Sequence, residues 1–261
     1  MARTRGYGYL YEQMVRRELR QKYKGSALGV LYYLVNPLVL AAAYGVMFTY
    51  VLPYRGVDDY PLFLLIGIAV WLFFSQSLLA AATSLIDQSS LVRKVRFPRE
   101  IIPAAVVSVQ WVIFAVLIAI VAPITLAFRG TLGPEIVLLP VLLLALGLFA
   151  LGLGLAVSVL HAYFRDVAPI LSAILLPWFF ITPIFFRPTD FPGREARPWL
   201  GELLRWGNPV APFIEGVRDV VYEGRWPSLA VLGYIAAACA LAVLAGRALF
   251  TRLEGELAVV L

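Results

Sequence analysis

Six apolar runs, each long enough to cross a lipid bilayer, constrain this chain more than any other feature. They cover 31–52, 62–83, 101–128, 136–160, 167–186 and 229–250. At 1.5 Å per residue, about 20 apolar residues traverse a hydrocarbon core of about 30 Å. The expected fold is an all-α integral membrane protein with six transmembrane helices in one domain, 1–261. Composition agrees, since 15% of the 261 residues are charged against about 25% in soluble domains.

The same composition narrows the chemistry. One cysteine, Cys239, allows no intrachain disulfide, and the one histidine, His161, cannot build a multi-histidine metal site. No G-x-x-x-x-G-K-[ST] loop occurs, so any ATP used must sit on another chain. A cleaved signal peptide is not expected. The first apolar run starts after 30 polar residues and is longer than the 7–15 residues of a signal core. An intramembrane enzyme would need acids, histidines or metal ligands at membrane depth, and the runs carry no such constellation.

An even number of spans puts both termini on one side. If that side is the cytosol, inner segments hold 14 Lys/Arg and outer segments 8, for net charges of +7 and −1. The basic excess favours cytosolic termini. Residues 1–30 contain a cytosolic interface helix over 7–24. Arg16, Arg17, Arg20 and Lys24 share one arc, and Tyr7, Tyr11, Met14, Val15 and Leu19 the other. Glu18 and Lys22 intrude on the apolar arc. Such a helix can anchor on anionic lipid or touch a cytosolic partner.

Residues 84–100 form a short basic amphipathic segment, with Pro98 expected at the first position of the third span. It reads either as a positively charged loop or as a stiff cytosolic knob. The fifth run, 167–186, is interrupted by Pro169, Pro177 and Pro183. It is expected to be bent, packed inside the bundle, and surrounded by the simpler spans. The outer loop, 187–228, holds two pieces too short to span, 199–206 and 210–222. Asn208-Pro209 reads as N-cap and N1 of the second piece, and Glu215 can pair with Arg218 at i,i+3. Both pieces suit re-entrant or gate helices, or a loop packed on the bundle.

Aromatic residues dominate the spans. Tyr33, Tyr44 and Phe48 recur on one face of the first, and Trp178 and Phe180 stand in the fifth. Flat sugar faces can stack on such rings, making these five channel candidates; lipid-facing or interfacial positions explain the same residues. Small residues at i,i+4, Ala41/Gly45/Thr49 and Ala150/Gly154/Ser158, favour close helix packing.

Four ordered motifs then carry a family resemblance. They are Ser90-Leu91-Val92-Arg93-Lys94-Val95-Arg96-Phe97-Pro98-Arg99-Glu100, Phe164-Arg165-Asp166-Val167, Leu176-Pro177-Trp178 through Thr182-Pro183-Ile184-Phe185, and Asn208-Pro209-Val210-Ala211-Pro212-Phe213-Ile214-Glu215. The chain resembles ABC-2-type permeases, specifically the permease subunit of polysaccharide ABC exporters. These move O-antigen, teichoic acid, capsular or galactan chains. Thr182 stands where that group often has serine, and keeps the hydroxyl.

The resemblance implies a multi-pass protein of a bacterial or archaeal cytoplasmic (inner) membrane. It implies a homodimer bound to two copies of an ATPase subunit that carries ATP and Mg²⁺, with no cofactor in this chain. Nucleic acid is not an expected partner. Residues 84–100 would be the coupling segment, with Leu91, Val92, Arg93, Lys94, Val95, Arg96, Phe97, Pro98, Arg99 and Glu100 as its candidate contacts. Arg165 and Asp166 are a second candidate, although Asp166 can instead cap the fifth helix and Arg165 serve topology. Asn208, Pro209, Phe213, Glu215 and Arg218 would belong to an outer gate. The implied substrate is a lipid-linked polysaccharide; a drug or non-glycan lipid is the alternative.

Overall fold

The computed structural model describes residues 2–23, 31–47, 57–95, 97–188, 197–257 and 261. Those residues form α1 Ala2–Tyr23, α2 Leu31–Val46, α3 Tyr60–Asp87, α4 Ser89–Lys94 and α5 Ile101–Arg129. After them come α6 Leu139–Tyr163, α7 Val167–Ile181, α8 Pro198–Trp206, α9 Ala211–Val221 and α10 Leu229–Leu253. No strand occurs among the described residues. Among the described residues, four helices are long and apolar enough to cross a membrane: α3, α5, α6 with its preceding 3₁₀ turn, and α10. α2 and α7 are apolar but shorter.

α3 is the hub. It is hydrophobic all round, the pattern of a helix enclosed on every side, and it packs against α2, α5, α6, α7 and α9. Phe63, Leu64, Ile66, Ile68, Val70, Phe74 and Leu85 are fully enclosed. It starts from Asp59, whose left-handed φ of 44° suits a residue type tolerated there, and Pro61 occupies its first turn.

The expectation that the fifth run forms the packed interior is overturned. Among the α7 side chains described, Leu175 and Phe179 are buried, while Ile170, Ile174, Leu176, Phe180 and Ile181 are exposed. The run does not continue as one helix to 186. α7 stops at Ile181 after 15 residues, about 22 Å, because Thr182 is extended and Pro183 brings no N–H.

Other boundaries also move. α5 opens at Ile101, not at Pro98, whose carbonyl accepts from Ile101 N–H in the preceding turn. α9 opens at Ala211 with Val210 as N-cap, two residues later than the Asn208-Pro209 reading. Asn208 Oδ1 instead accepts from Val210 N–H, 3.1 Å away.

α6 and α10 make the closest crossing. Gly152 lies against the Ala242 backbone, and Gly246 against the carbonyl of Gly152, where a Cβ would overlap it. Of the small residues noted in the sequence, Ala150 and Ser158 are fully buried. A Cβ on Gly154 would press Ala81 and Val107 at 3.1 and 3.2 Å. In lipid, such close approach supplies dispersion contact that the hydrophobic effect does not.

Gly246→Ala should lower the thermal midpoint in detergent, by the equivalent of about 1–3 kcal/mol for an overpacked site. Gly233→Ala, on the same helix with open space around it, should hold or raise it, since alanine is the better helix former.

Candidate functional site

The broken end of α7 is the most elaborate polar site. Its carbonyls have lost their helical partners, and side chains from two other elements replace them. Arg218 of α9 is 6% exposed. It donates to Pro183 O at 2.8 Å, Ile184 O at 2.7 Å and Phe63 O at 2.9 Å, and lies 3.4 Å over the Phe63 ring. Tyr60 donates its hydroxyl to Phe185 O at 2.8 Å. Asn208 joins the set by donating to Thr182 Oγ1 at 2.8 Å and accepting from Trp178 Nε1 at 3.1 Å. Thr182 Oγ1 donates in turn to Trp178 O. One guanidinium therefore fastens α9 to both the α7 break and the first turn of α3.

Gly67 makes this possible. A Cβ there would overlap the Arg218 guanidinium and press Ile184. Complete burial pulls Arg218 down to about 9, so it stays cationic at neutral pH.

Ion pairs surround this core. Glu215 accepts both Nε (2.8 Å) and Nη2 (2.5 Å) of Arg205 from α8, the bidentate geometry that fixes orientation. The expected Glu215–Arg218 pair does not form, because Arg218 turns inward to the carbonyls. Arg187 pairs with Glu223. Arg129, at the end of α5, donates to Tyr222 O and Asp59, and lies over the Tyr222 ring. Asp219 accepts Nε and Nη2 of Arg225. Burial pushes Asp219 up to about 6 against the pull of Arg225. Pro209 is half-buried beside Asn208, and Phe213 stacks on Phe149 at 5.0 Å.

Aromatic rings fill the space behind. Trp178 packs on Trp71 and Phe74, and Tyr44 on Phe179 and Phe185. Phe180 leans on Phe179 and Phe185 but is 54% exposed. The Tyr33 side chain and Phe48 lie outside the described residues.

At the opposite end α4 is a six-residue helix set against a second core. Val92 is buried there with Met14, Leu85, Ile102, Phe250 and Leu257, and Leu91 and Phe97 pack on them. Arg93, Lys94 and Val95 are exposed, while Pro98, Arg99 and Glu100 are half-buried; Arg96 lies outside the described residues. Arg99 donates to Glu254 O, and Glu100 faces Arg247 at 3.9 Å. α1 braces the same end. Tyr11 OH pairs with Ser108 Oγ at 2.6 Å, and Gln88 donates to Glu18 at 3.2 Å. Glu18 thus interrupts the apolar arc of α1 because it has a partner inside. Burial also pulls Lys22 down to about 8, against the pull of Glu18.

Arg165 and Asp166 are exposed. Asp166 occupies the N-cap position of α7 without a side-chain cap bond; His161 Nδ1 instead accepts from Ala168 N–H at 3.3 Å. Among the described residues no group of three His, Cys, Asp or Glu is placed to hold a metal.

The structure brings Asn208, Phe213, Glu215 and Arg218, which the sequence singles out, together with Tyr60, Gly67, Arg129 and Arg205, which it does not. The charge at the end of a span, Arg129, is the available signal; its partners Tyr222 and Asp59 lie too far along the chain for spacing to reveal.

A four-span helical core with a cross-braced break at one end and a stiff basic helix at the other defines a multi-pass membrane protein. The chain belongs to the ABC-2 type transporter family, whose sequence profile matches residues 9–222. It is 29% identical over 252 residues to the O-antigen export system permease protein RfbA of Myxococcus xanthus, covering 97% of this chain and 95% of that one. Two proteins of the same name from Klebsiella pneumoniae are each 28% identical, covering 83% of both chains.

Arg218→Met should lower the thermal midpoint and speed hydrogen exchange over 183–186, since buried acceptors left unpaired cost about 1–3 kcal/mol each. Gly67→Ala should reproduce this without touching a charge. Asp219 favours its protonated form in the fold, so its contribution to stability falls as pH rises from about 4 to about 6. Asp219→Asn should flatten that part of the midpoint–pH curve.

Proposed function

We propose that this chain is the membrane-embedded permease subunit of an ATP-driven exporter of lipid-linked polysaccharide. The observation that carries the reading is the similarity along nearly its whole length to permeases named for O-antigen export. It is a transport subunit and catalyses no reaction. A separate ATPase subunit, in two copies, binds ATP and Mg²⁺ and hydrolyses the nucleotide. This chain pairs with a second copy, and the path runs through the dimer. In this reading α2 and α7 complete a six-span count, short as they are, and α8 and α9 are re-entrant gate helices at the outer mouth. Both termini are cytosolic, in a cytoplasmic (inner) membrane.

The geometry supports a coupling role for α4. An ATPase does work on a permease only by gripping a stiff element that favours one state over another. Arg93 and Lys94 project from a helix whose other face is wedged into a core shared with α1, α5 and α10. Arg165 and Asp166 form a second exposed cytosolic contact. Among the ring-bearing candidates, Phe180 is the exposed one and suits weak stacking with a passing sugar. Trp178 and Tyr44 hold the wall behind it.

Reversing the charges of Arg93, Lys94 and Arg96 should abolish export while leaving membrane insertion and the thermal midpoint unchanged. Export persisting at the wild-type rate would remove α4 from the coupling path. For the substrate, the purified permease–ATPase complex should hydrolyse ATP faster with lipid-linked glycan than without it. Stimulation by a drug or a plain lipid instead would favour the alternative ABC-2 substrate.

A further inference from the structure

The helix that presents Arg93 and Lys94 is held by little of its own. α4 has six residues, Ser89–Lys94, about half the length at which a helix persists alone. Its N-cap residue, Gln88, makes no capping bond from its side chain. Among the described residues, Ser89–Lys94 form no ion pair and no side-chain hydrogen bond. Val92 alone of the six is buried. The position of α4 is therefore set by the core around Val92 and by the corner that joins it to α5.

Residues after α10 serve both. α10 ends at Leu253, and a 3₁₀ turn, Glu254–Glu256, follows it. The last carbonyls of a helix have no donor within it. Tyr163, at the end of α6, donates its hydroxyl to Leu253 O at 2.8 Å. Glu254 O accepts from Leu257 N–H inside the turn and from Arg99 Nη1 of the α4–α5 corner. A cation is favoured at that end of a helix. Glu100, beside Arg99, faces Arg247 of α10 at 3.9 Å.

The turn that meets Arg99 also carries a leucine inward. Leu257 is fully enclosed and Leu261 is buried, in the core that holds Val92, Leu85 and Ile102. Anchoring a last span in lipid requires neither feature, because polar residues beyond an apolar run suffice for that. The Glu100–Arg247 pair is exposed enough to contribute little. The enclosed leucine and the charge-assisted bond of half-buried Arg99 do the holding.

We propose that the turn after α10 is a strap on the α4–α5 corner, with Leu257 and Arg99 as its positioning residues. A load on Arg93 and Lys94 then reaches α10 as well as α5. It continues into α6, because Gly246 of α10 lies against the carbonyl of Gly152. Arg99 and Glu100 belong to this strap and not to the surface offered to the ATPase. The inference rests on the coupling role proposed for α4.

The test has a structural arm and a transport arm, both on the full-length chain. In nanodiscs, Leu257→Ala should speed hydrogen exchange at least fivefold at the amides of Val92 and Val95, which bond Gln88 O and Leu91 O. The amides of Phe213 and Ile214, which bond Val210 O in α9, should keep their rates. Arg99→Met should act like Leu257→Ala. Leu257→Met, which refills the volume, and Arg99→Lys, which keeps a donor, should return exchange to within twofold of wild type. In proteoliposomes of the permease–ATPase complex supplied with lipid-linked glycan, Leu257→Ala should lower glycan exported per ATP hydrolysed at least fivefold, with assembly and ATP hydrolysis within twofold of wild type. Exchange at Val92 and Val95 that is unchanged, or that rises only together with Phe213 and Ile214, overturns the proposal. So does export that falls only in proportion to ATP hydrolysis. Charge reversal of Arg93, Lys94 and Arg96 separates the two readings. Export persisting after it removes the coupling role, and the transport half of the strap with it. Export lost after it, with an unchanged ratio in Leu257→Ala, removes the strap alone.

Discussion

The guanidinium of Arg218 replaces hydrogen bonds that a broken helix has lost. Where α7 stops at Ile181, Pro183 and Ile184 leave carbonyls without helical donors. Such groups away from water require partners. Arginine suits the task because its planar fork offers several donors in fixed directions and its charge strengthens each bond. Burying that charge is costly, and the three carbonyls together with the Phe63 ring offset the cost. The consequence is architectural: α9 cannot move away from α3 or from the end of α7 without exposing every one of these groups.

That constraint makes this end of the bundle a single polar assembly. Asn208 ties Trp178 to Thr182, Tyr60 holds Phe185 O, and the pairs Arg205–Glu215, Arg187–Glu223 and Asp219–Arg225 brace the two short helices. Coupled networks of this kind rearrange together, since losing one partner strands another. The opposite end is built differently. There α4, α1 and the ends of α5 and α10 share an apolar core, and exposed charges project from its surface. α4 meets α3 and α5 through packed side chains, Val92 with Leu85 and Ile102, and close-packed interiors transmit strain.

The mistaken expectations have physical causes. The fifth run drew attention because its prolines interrupt an apolar stretch, yet Leu175 and Phe179 are buried there while Phe180 and Ile181 face outward. Uniform hydrophobicity hides this difference, because in a membrane the lipid-facing and protein-facing sides are equally apolar. α3 looked like an ordinary span for the same reason. The i,i+3 spacing of Glu215 and Arg218 is real, but Glu215 is half-buried and already held by Arg205, while a nearby run of carbonyls takes the Arg218 guanidinium.

The sequence by itself determined the class of solvent, the helical backbone, the ring-rich spans, the two short helices before α10 and the exposed basic segment near residue 93. These follow from run length, breakers and charge, which are local properties. Only the tertiary structure decided that α3 is the centre, that Gly67 is small to admit Arg218, that Gly246 lies against Gly152, and that Leu257 shares a core with Val92. Each of those facts is a meeting between residues distant along the chain. Backbone periodicity fixes which way a side chain leaves its own helix, but packing alone selects which neighbour it meets.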